Sequence, residues 1–157
     1  MGEANERRAI FTKLYYFAVK SDIIYKTFVF HKSDYDNIFK MEARIARDIS
    51  QFIRDNLKYF QEFEIVILYY DNGQYELNRI LNTVLATELV TYDVRKVIPS
   101  DYRLFQVADL ICTLELLKMK MEAGKNLTRS EELIFHNKRD LKKDFLRGIR
   151  KKAFLEK

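Results

Sequence analysis

The chain has 157 residues, 48% hydrophobic and 32% charged, a balance typical of a globular protein with a buried core. No apolar run approaches the roughly 20 residues that a membrane-spanning helix needs, and charged residues near the N-terminus exclude a signal-peptide core. The single cysteine, Cys112, excludes an internal disulfide and a thiolate zinc site. We therefore expect a cytoplasmic protein with no membrane partner and a modest net charge of +5.

Apolar periodicity predicts alternating helices and strands along the chain. In the middle of the chain, the order strand, helix, strand predicts a right-handed crossover and parallel pairing, which brings the carboxyl ends of both strands to one edge. The predicted elements are a helix over 3–19, a strand over 23–30, a helix from a cap at Ser33 or Asp34 to about residue 60, a strand over 65–70, a helix over 75–86, a strand over 91–98, a helix over 101–122, a helix capped by Thr128 or Ser130, and a basic helix over 138–152.

The strand predicted over 65–70 ends on a carboxylate. Its uninterrupted apolar residues predict a strand covered on both faces, as in a parallel sheet. Asp71 follows directly, and ligands of open α/β sheets bind outside the carboxyl ends of the strands. The alternative is that Asp71, Asn72 and Gly73 form an ordinary turn.

A second carboxylate interrupts the helix predicted over 101–122. This helix is apolar almost all round in its first half, which predicts that it packs in the interior. Asp109 lies on that surface, where a carboxylate is costly unless it is paired, bound to metal or facing a cleft. Gln106 lies one turn earlier on the same side. A metal site and pairing with Arg103, Arg95 or a backbone amide are alternatives for Asp109.

The two aspartates together predict a divalent-metal site. Carboxylates that converge from neighbouring elements are the usual ligands of Mg²⁺ and Mn²⁺. Two such ions about 4 Å apart can activate a water and stabilise the leaving oxygen of a phosphodiester. In this interpretation Asp71 and Asp109 are the catalytic metal ligands, and Asn72 and Gln106 contact the substrate or orient the ligands.

The positive charge is concentrated at the C-terminal end. Residues 118–157 carry 13 Lys and Arg against 6 Asp and Glu, whereas residues 1–117 carry 15 against 17. Such a segment can contact nucleic-acid phosphates, and a solvated helix face is the alternative. Lys138, Arg139 and Lys152 belong to this set, and the predicted nucleic-acid contacts are Lys142, Lys143, Arg147, Arg150 and Lys151.

Several of these motifs resemble one known family. The segments YYDNGQ at 69–74, PSDYRLFQVADLICTLEL at 99–116 and SEELIF at 130–135, with the basic RDLKKDFLRGIRKK that ends at 152, are similar to the bacterial family called domain of unknown function 3800. The aspartate that ends a strand and the QxAD helix are hallmarks of that family. The resemblance implies a ribonuclease H-like fold, with Asp71 and Asp109 among clustered acids that bind a divalent metal.

The resemblance covers the C-terminal two thirds of a family member. Members normally begin with a strand that ends in Asp-Glu-Ser-Gly, followed by a second strand, and this chain does not contain that motif. The expectation is a single α/β domain over 1–157, a ribonuclease H-like mixed sheet flanked by helices that lacks the first two strands, with a basic helical tail. A second copy of the chain or a partner chain is expected to cover the resulting sheet edge.

Two functional hypotheses follow from the sequence. The first is a nuclease, or nuclease remnant, that acts on RNA or DNA with Mg²⁺ or Mn²⁺. The second is a catalytically inactive module that binds nucleic acid or protein, as a homodimer or with a separate partner. A small-molecule enzyme is a weaker third hypothesis, because the chain has no glycine-rich phosphate loop and no Ser-His-Asp set.

Overall fold

A computed structural model describes residues 2–71 and 75–155. They form a mostly helical α/β structure, so the predicted α/β class is confirmed, whereas the ribonuclease H-like fold stays a prediction. Within the described ranges, every helix is too short or too polar to span a bilayer. The elements are α1 Gly2–Lys20, α2 Ile38–Asp55, α3 Leu57–Gln61, β1 Val66–Asp71, α4 Tyr75–Glu88, β2 Tyr92–Val97, α5 Arg103–Glu122, α6 Arg129–Phe135, α7 Lys138–Asp140, a π-helix Leu141–Leu146 and α8 Arg147–Arg150.

The two strands pair in parallel, as predicted. Their register runs from Val66 opposite Tyr92 to Asp71 opposite Val97, so both carboxyl ends lie at one edge. Leu68 packs against the core below the sheet. Tyr69 points to the opposite face and is 39% exposed, so the prediction that this strand is covered on both faces is wrong. An apolar run therefore did not indicate burial on both sides.

The prediction of a strand over residues 23–30 is wrong. Among the described residues this segment makes one isolated parallel bridge, between Tyr25 and Ala153. The amide of Tyr25 donates to the carbonyl of Lys152 at 2.9 Å, and the amide of Phe154 donates to the carbonyl of Tyr25 at 2.8 Å. β-Branched and aromatic residues favour extended backbone, but a strand also needs a partner of matching length. The partner here is the short segment that follows α8.

The cap predicted for α2 is also wrong. Ser33 and Asp34 lie in a separate 3₁₀ turn, and Asn37 caps the helix by accepting a hydrogen bond from the amide of Lys40 at 3.0 Å. The predicted continuation to about residue 60 is broken at Asn56, whose side chain donates to the carbonyl of Phe52 at 2.8 Å. Ser, Asp and Asn are similarly good caps, so local sequence did not choose among them.

The chain folds into two compact units, and the single-domain prediction stays a prediction. The second unit spans 28–101, with the gap at 72–74, and α2 packs there against α4. Its fully buried cluster consists of Ile53, Ile80, Val84 and Leu85.

The first unit combines the described residues of 1–27 with 102–155. In this unit α1 packs against α5, α6 and α8. Phe11, Phe135 and Phe145 form an edge-to-face triad, with ring centroids 4.9 to 5.5 Å apart. Such pairs add to the stability gained from burial alone. The other buried members of this core are Tyr15, Ala18, Val107, Leu110, Ile111, Leu114, Leu117, Leu127, Leu141 and Ile149.

Candidate nucleic-acid interface

The basic helix predicted near the C-terminus forms as three consecutive helical pieces over 138–150, here called the C-terminal helical segment. It begins at Asn137, whose side chain accepts a hydrogen bond from the amide of Asp140 at 2.9 Å. Its middle, Leu141–Leu146, is a π-helix, a geometry that is rare and found frequently at functional sites. Leu141, Phe145 and Ile149 recur every four residues and are buried, so the side chains between them are left for the outer surface.

The C-terminal helical segment and α5 together line a groove of about 710 Å³ within the first unit. On α5, Glu115, Lys118 and Glu122 follow at steps of three and four residues, which places them on one face of the helix. The groove, here called the basic groove, is lined by Glu115, Lys118, Met121 and Glu122 from α5 and by Lys138, Arg139, Lys142, Leu146, Arg147, Ile149 and Arg150 from the C-terminal helical segment.

The basic groove carries six cationic side chains against two carboxylates, over an apolar floor. Within residues 2–71 and 75–155, none of these six cations forms an ion pair. Some cations elsewhere are paired, for example Arg44 with Asp48 at 2.9 Å and Lys120 with Glu131 at 2.7 Å. Six unpaired cations in one concave surface create a positive potential that attracts anions.

Three of the five predicted nucleic-acid contacts, Lys142, Arg147 and Arg150, lie in the basic groove. Lys143 and Lys151 do not line it, although both are exposed. Lys118 lines the groove and was missed by sequence reasoning. It belongs to α5, and its local sequence carries no signal that links it to the basic tail.

Glu115 is anchored inside the basic groove by Tyr25. The Tyr25 hydroxyl donates a hydrogen bond to Glu115 Oε1 at 3.2 Å. Burial, together with the charge and hydrogen bond of Glu115, raises the pKa of Tyr25 to about 12, and the nearby charge of Arg150 opposes this rise. No described lysine or arginine forms an ion pair with Glu115. The carboxylate is therefore held in place by a neutral donor and keeps its charge uncompensated by direct pairing.

Asp71, the first predicted metal ligand, is the last residue of β1 in the second unit. Its side chain is half-buried, and it lies opposite Val97 at the carboxyl end of the parallel pair. This is the position that the sequence predicted for it. Asn72, predicted to contact substrate, lies outside the described residues.

Asp109, the second predicted ligand, lies on α5 in the first unit and is exposed, as is Gln106. The prediction that the first half of this helix packs in the interior is wrong, since Leu104 is 58% exposed and Ala108 is also exposed. Helix α5 buries one stripe that includes Val107, and its other apolar residues face outward. Asp109 therefore carries no desolvation penalty that a metal ion or a partner must offset.

The two predicted ligands of the divalent-metal site, Asp71 and Asp109, belong to different units. Among the described residues, no group of three or more His, Cys, Asp or Glu side chains is placed to hold a metal ion. Asp71 belongs to the second unit and Asp109 to the first. That they share Mg²⁺ or Mn²⁺ stays a prediction.

Comparison of the chain with protein-family models, with curated proteins and with solved structures found no match. The family resemblance of the sequence motifs stays a prediction.

Proposed function

We propose that the first unit binds nucleic acid by holding the sugar–phosphate backbone in the basic groove. The observation that carries this proposal is the set of six groove cations, none of which forms an ion pair in the described part of the chain. Lysine and arginine side chains that neutralise phosphates release condensed counterions, and this release supplies most of the affinity of sequence-independent binding.

The dimensions of the basic groove suit a run of phosphates. Its cations on the C-terminal helical segment extend from Lys138 to Arg150, a length of at most about 18 Å, since an α-helix rises 1.5 Å per residue and the π-helix within the segment rises less. One strand of a duplex advances about 3.4 Å per nucleotide, so several phosphates fit along this row. Lys118 adds a cation from the opposite wall, and Met121 and Leu146, which are half-buried, offer apolar contact to the sugars.

The proposal is tested by the salt dependence of oligonucleotide binding. Fluorescence anisotropy of labelled 20-mers between 50 and 200 mM salt gives the slope of log K against log salt, to which each phosphate contact contributes about 0.7 to 0.9. The triple variant K142Q/R147Q/R150Q is expected to reduce the magnitude of the slope by about 2 and to weaken binding at 100 mM salt.

A charge-matched control separates the basic groove from general basicity. The variant K125Q/K143Q/K151Q removes the same three charges at exposed positions that do not line the groove. It is expected to retain most of the affinity and a slope close to that of the unmodified chain. Equal weakening by both triple variants would show that the overall charge, and not the basic groove, attracts the oligonucleotide.

A second candidate function is hydrolysis of phosphodiesters with Mg²⁺ or Mn²⁺ held by Asp71 and Asp109. It is favoured by one observation, the location of Asp71 at the carboxyl end of a parallel strand, where ligands of α/β sheets bind. Millimolar Mg²⁺ or Mn²⁺ is then expected to raise the melting temperature, and D71N and D109N are each expected to abolish that rise. If neither ion shifts the melting temperature, this candidate is excluded.

A homodimer, or a partner chain that covers a sheet edge, also stays a prediction. Light scattering after size-exclusion chromatography measures the mass of the particle directly. A mass close to 18.9 kDa would exclude the homodimer.

A further inference from the structure

We propose that Glu115 makes the basic groove select RNA over DNA, by accepting a hydrogen bond from a ribose 2′-hydroxyl. This inference rests on the proposed function and names the class of nucleic acid that the same groove takes. It assigns a specificity-determining role to a residue that lines the groove and carries the charge that phosphate binding disfavours.

A carboxylate in a phosphate-binding groove weakens binding unless the ligand also brings a hydrogen-bond donor. Glu115 repels every phosphate held by the neighbouring cations, and this repulsion is not relieved by an ion pair within the described residues. An ionised carboxylate has about four acceptor sites, and one described donor, the Tyr25 hydroxyl, uses one of them. Glu115 therefore retains acceptor capacity for a donor on the ligand.

The 2′-hydroxyl is the donor that a backbone-binding groove meets at every nucleotide. It lies on the sugar, next to the phosphates that the groove cations contact, and does not depend on base sequence. The DNA backbone offers phosphate and sugar oxygens, which only accept. The same carboxylate therefore accepts a charge-assisted hydrogen bond from RNA, whereas it only repels the phosphates of DNA.

Tyr25 is the feature that distinguishes Glu115 from the other acid of the basic groove. Glu115 is half-buried and held at 3.2 Å by the Tyr25 hydroxyl, whereas Glu122 is exposed and has no described hydrogen-bond partner. A side chain already fixed in one geometry loses less conformational entropy when it binds a ligand. Glu122 consequently serves as the matched control, since it carries the same charge on the same helix.

The test compares three single-stranded 20-mers of one sequence, RNA, DNA and 2′-deoxy-2′-fluoro RNA, by anisotropy at fixed salt. The fluoro sugar keeps the ribose pucker but has no donor. The unmodified chain is expected to bind RNA roughly fivefold more tightly than either of the other two, the scale of one charge-assisted hydrogen bond at a solvated site. This arm needs no variant.

Three variants then locate the effect. E115Q removes the charge and is expected to tighten DNA binding while the ratio of RNA to DNA affinity falls to about twofold or less. Y25F keeps the charge but frees the carboxylate, so the ratio is expected to fall without tightening of DNA binding. E122Q is expected to tighten RNA and DNA binding equally and to leave the ratio unchanged. Circular dichroism verifies that each variant is folded.

The outcomes distinguish this inference from the proposed function. If all three oligonucleotides bind equally, with a steep salt dependence, the basic groove binds nucleic acid. Glu115 then does not select RNA, and this inference is wrong. An RNA preference that survives in E115Q overturns the same inference. If no oligonucleotide binds the unmodified chain, the proposed function fails and this inference fails with it.

Discussion

Gly148 of α8 lies directly against the hydroxyl group of Tyr15 in α1. A Cβ atom at position 148 would overlap that hydroxyl and would approach Tyr15 Cζ to 3.2 Å. Tyr15 is a core residue, 6% exposed, so its ring has little room to move away. This close approach is what allows α8, which carries Arg147 and Arg150 into the basic groove, to pack against α1.

Substitution of Gly148 by alanine is therefore expected to destabilise the first unit. The added methyl group overpacks the contact with Tyr15, which typically costs about 1 to 3 kcal/mol of unfolding free energy. The greater helix propensity of alanine offsets part of this loss, by about 1 kcal/mol. Urea unfolding of G148A, Y15F and the double variant measures the effect. Y15F removes the overlapping oxygen, so the double variant should recover part of the stability that G148A loses. Equal losses in G148A and the double variant would show that the overlap is not the cause.

His136 adopts a strained backbone conformation, with φ 67° and ψ −69°. The amide of Asn137 donates to the carbonyl of Phe135 at 2.9 Å, which closes a three-residue γ-turn of the rare class. The His136 ring contacts the Arg8 guanidinium.

Glycine at position 136 is expected to relieve the strain at the end of α6. Such strain costs about 1 to 3 kcal/mol, and the extra backbone entropy of glycine offsets part of the gain. H136G should be about 1 kcal/mol more stable than H136A in urea unfolding, because both lack the ring and only glycine favours the positive φ. If H136A is the more stable variant, the backbone is not strained in solution.

Glu131 joins the N-terminus of α6 to α5 and should make the stability depend on acid pH. Its side chain accepts from Lys120 Nζ at 2.7 Å and completes a capping box with Thr128. The hydrogen bond from Lys120, and then the one from the Thr128 amide, hold the pKa of this carboxyl below its usual range. A lowered pKa means that the stabilisation is present above about pH 4.5 and is lost as pH falls through the folded-state pKa.

E131Q removes the charge that Lys120 and the N-terminus of α6 stabilise, while the glutamine oxygen can still accept from the Thr128 amide. It is expected to lower the free energy of unfolding at pH 7 by about 1 kcal/mol and to flatten its dependence on pH in the acid range. T128A should cost a similar amount by removing the other half of the capping box. E132Q is the control, because it removes a carboxylate from the same first turn that forms no described ion pair. If E131Q loses stability at acid pH as steeply as the unmodified chain does, Glu131 is not the source of this pH dependence.

Tyr25 should ionise only at high pH. Burial and Glu115 raise its pKa to about 12, so the folded state retains this proton more strongly than the unfolded state does. Its contribution to stability is therefore present below about pH 10 and is lost as pH rises through about 12. Absorbance at 295 nm in Y25F should lack part of the titration step seen at the highest pH in the unmodified chain. If Y25F loses an early step instead, the Tyr25–Glu115 hydrogen bond does not persist in solution.

The sequence by itself determined most of the helices and the parallel pair, because these depend on local periodicity and short connections. The apolar spacing predicted α1, α4 and α5 to within about three residues, and the order strand, helix, strand predicted parallel pairing. Thr128 was correctly identified as one of two possible caps of α6.

Tertiary structure decided what each element packs against. Residues 23–30 have strand composition but form a single bridge within the described part of the chain, and Asp109 lies among apolar neighbours in the sequence yet is exposed on α5. The basic groove exists because α5 packs beside the C-terminal helical segment, which brings Lys118 and Glu115 to Lys142 and Arg150. Periodicity shows which face of a helix is buried, but long-range packing decides which charged faces meet, and the positive potential arises from that meeting.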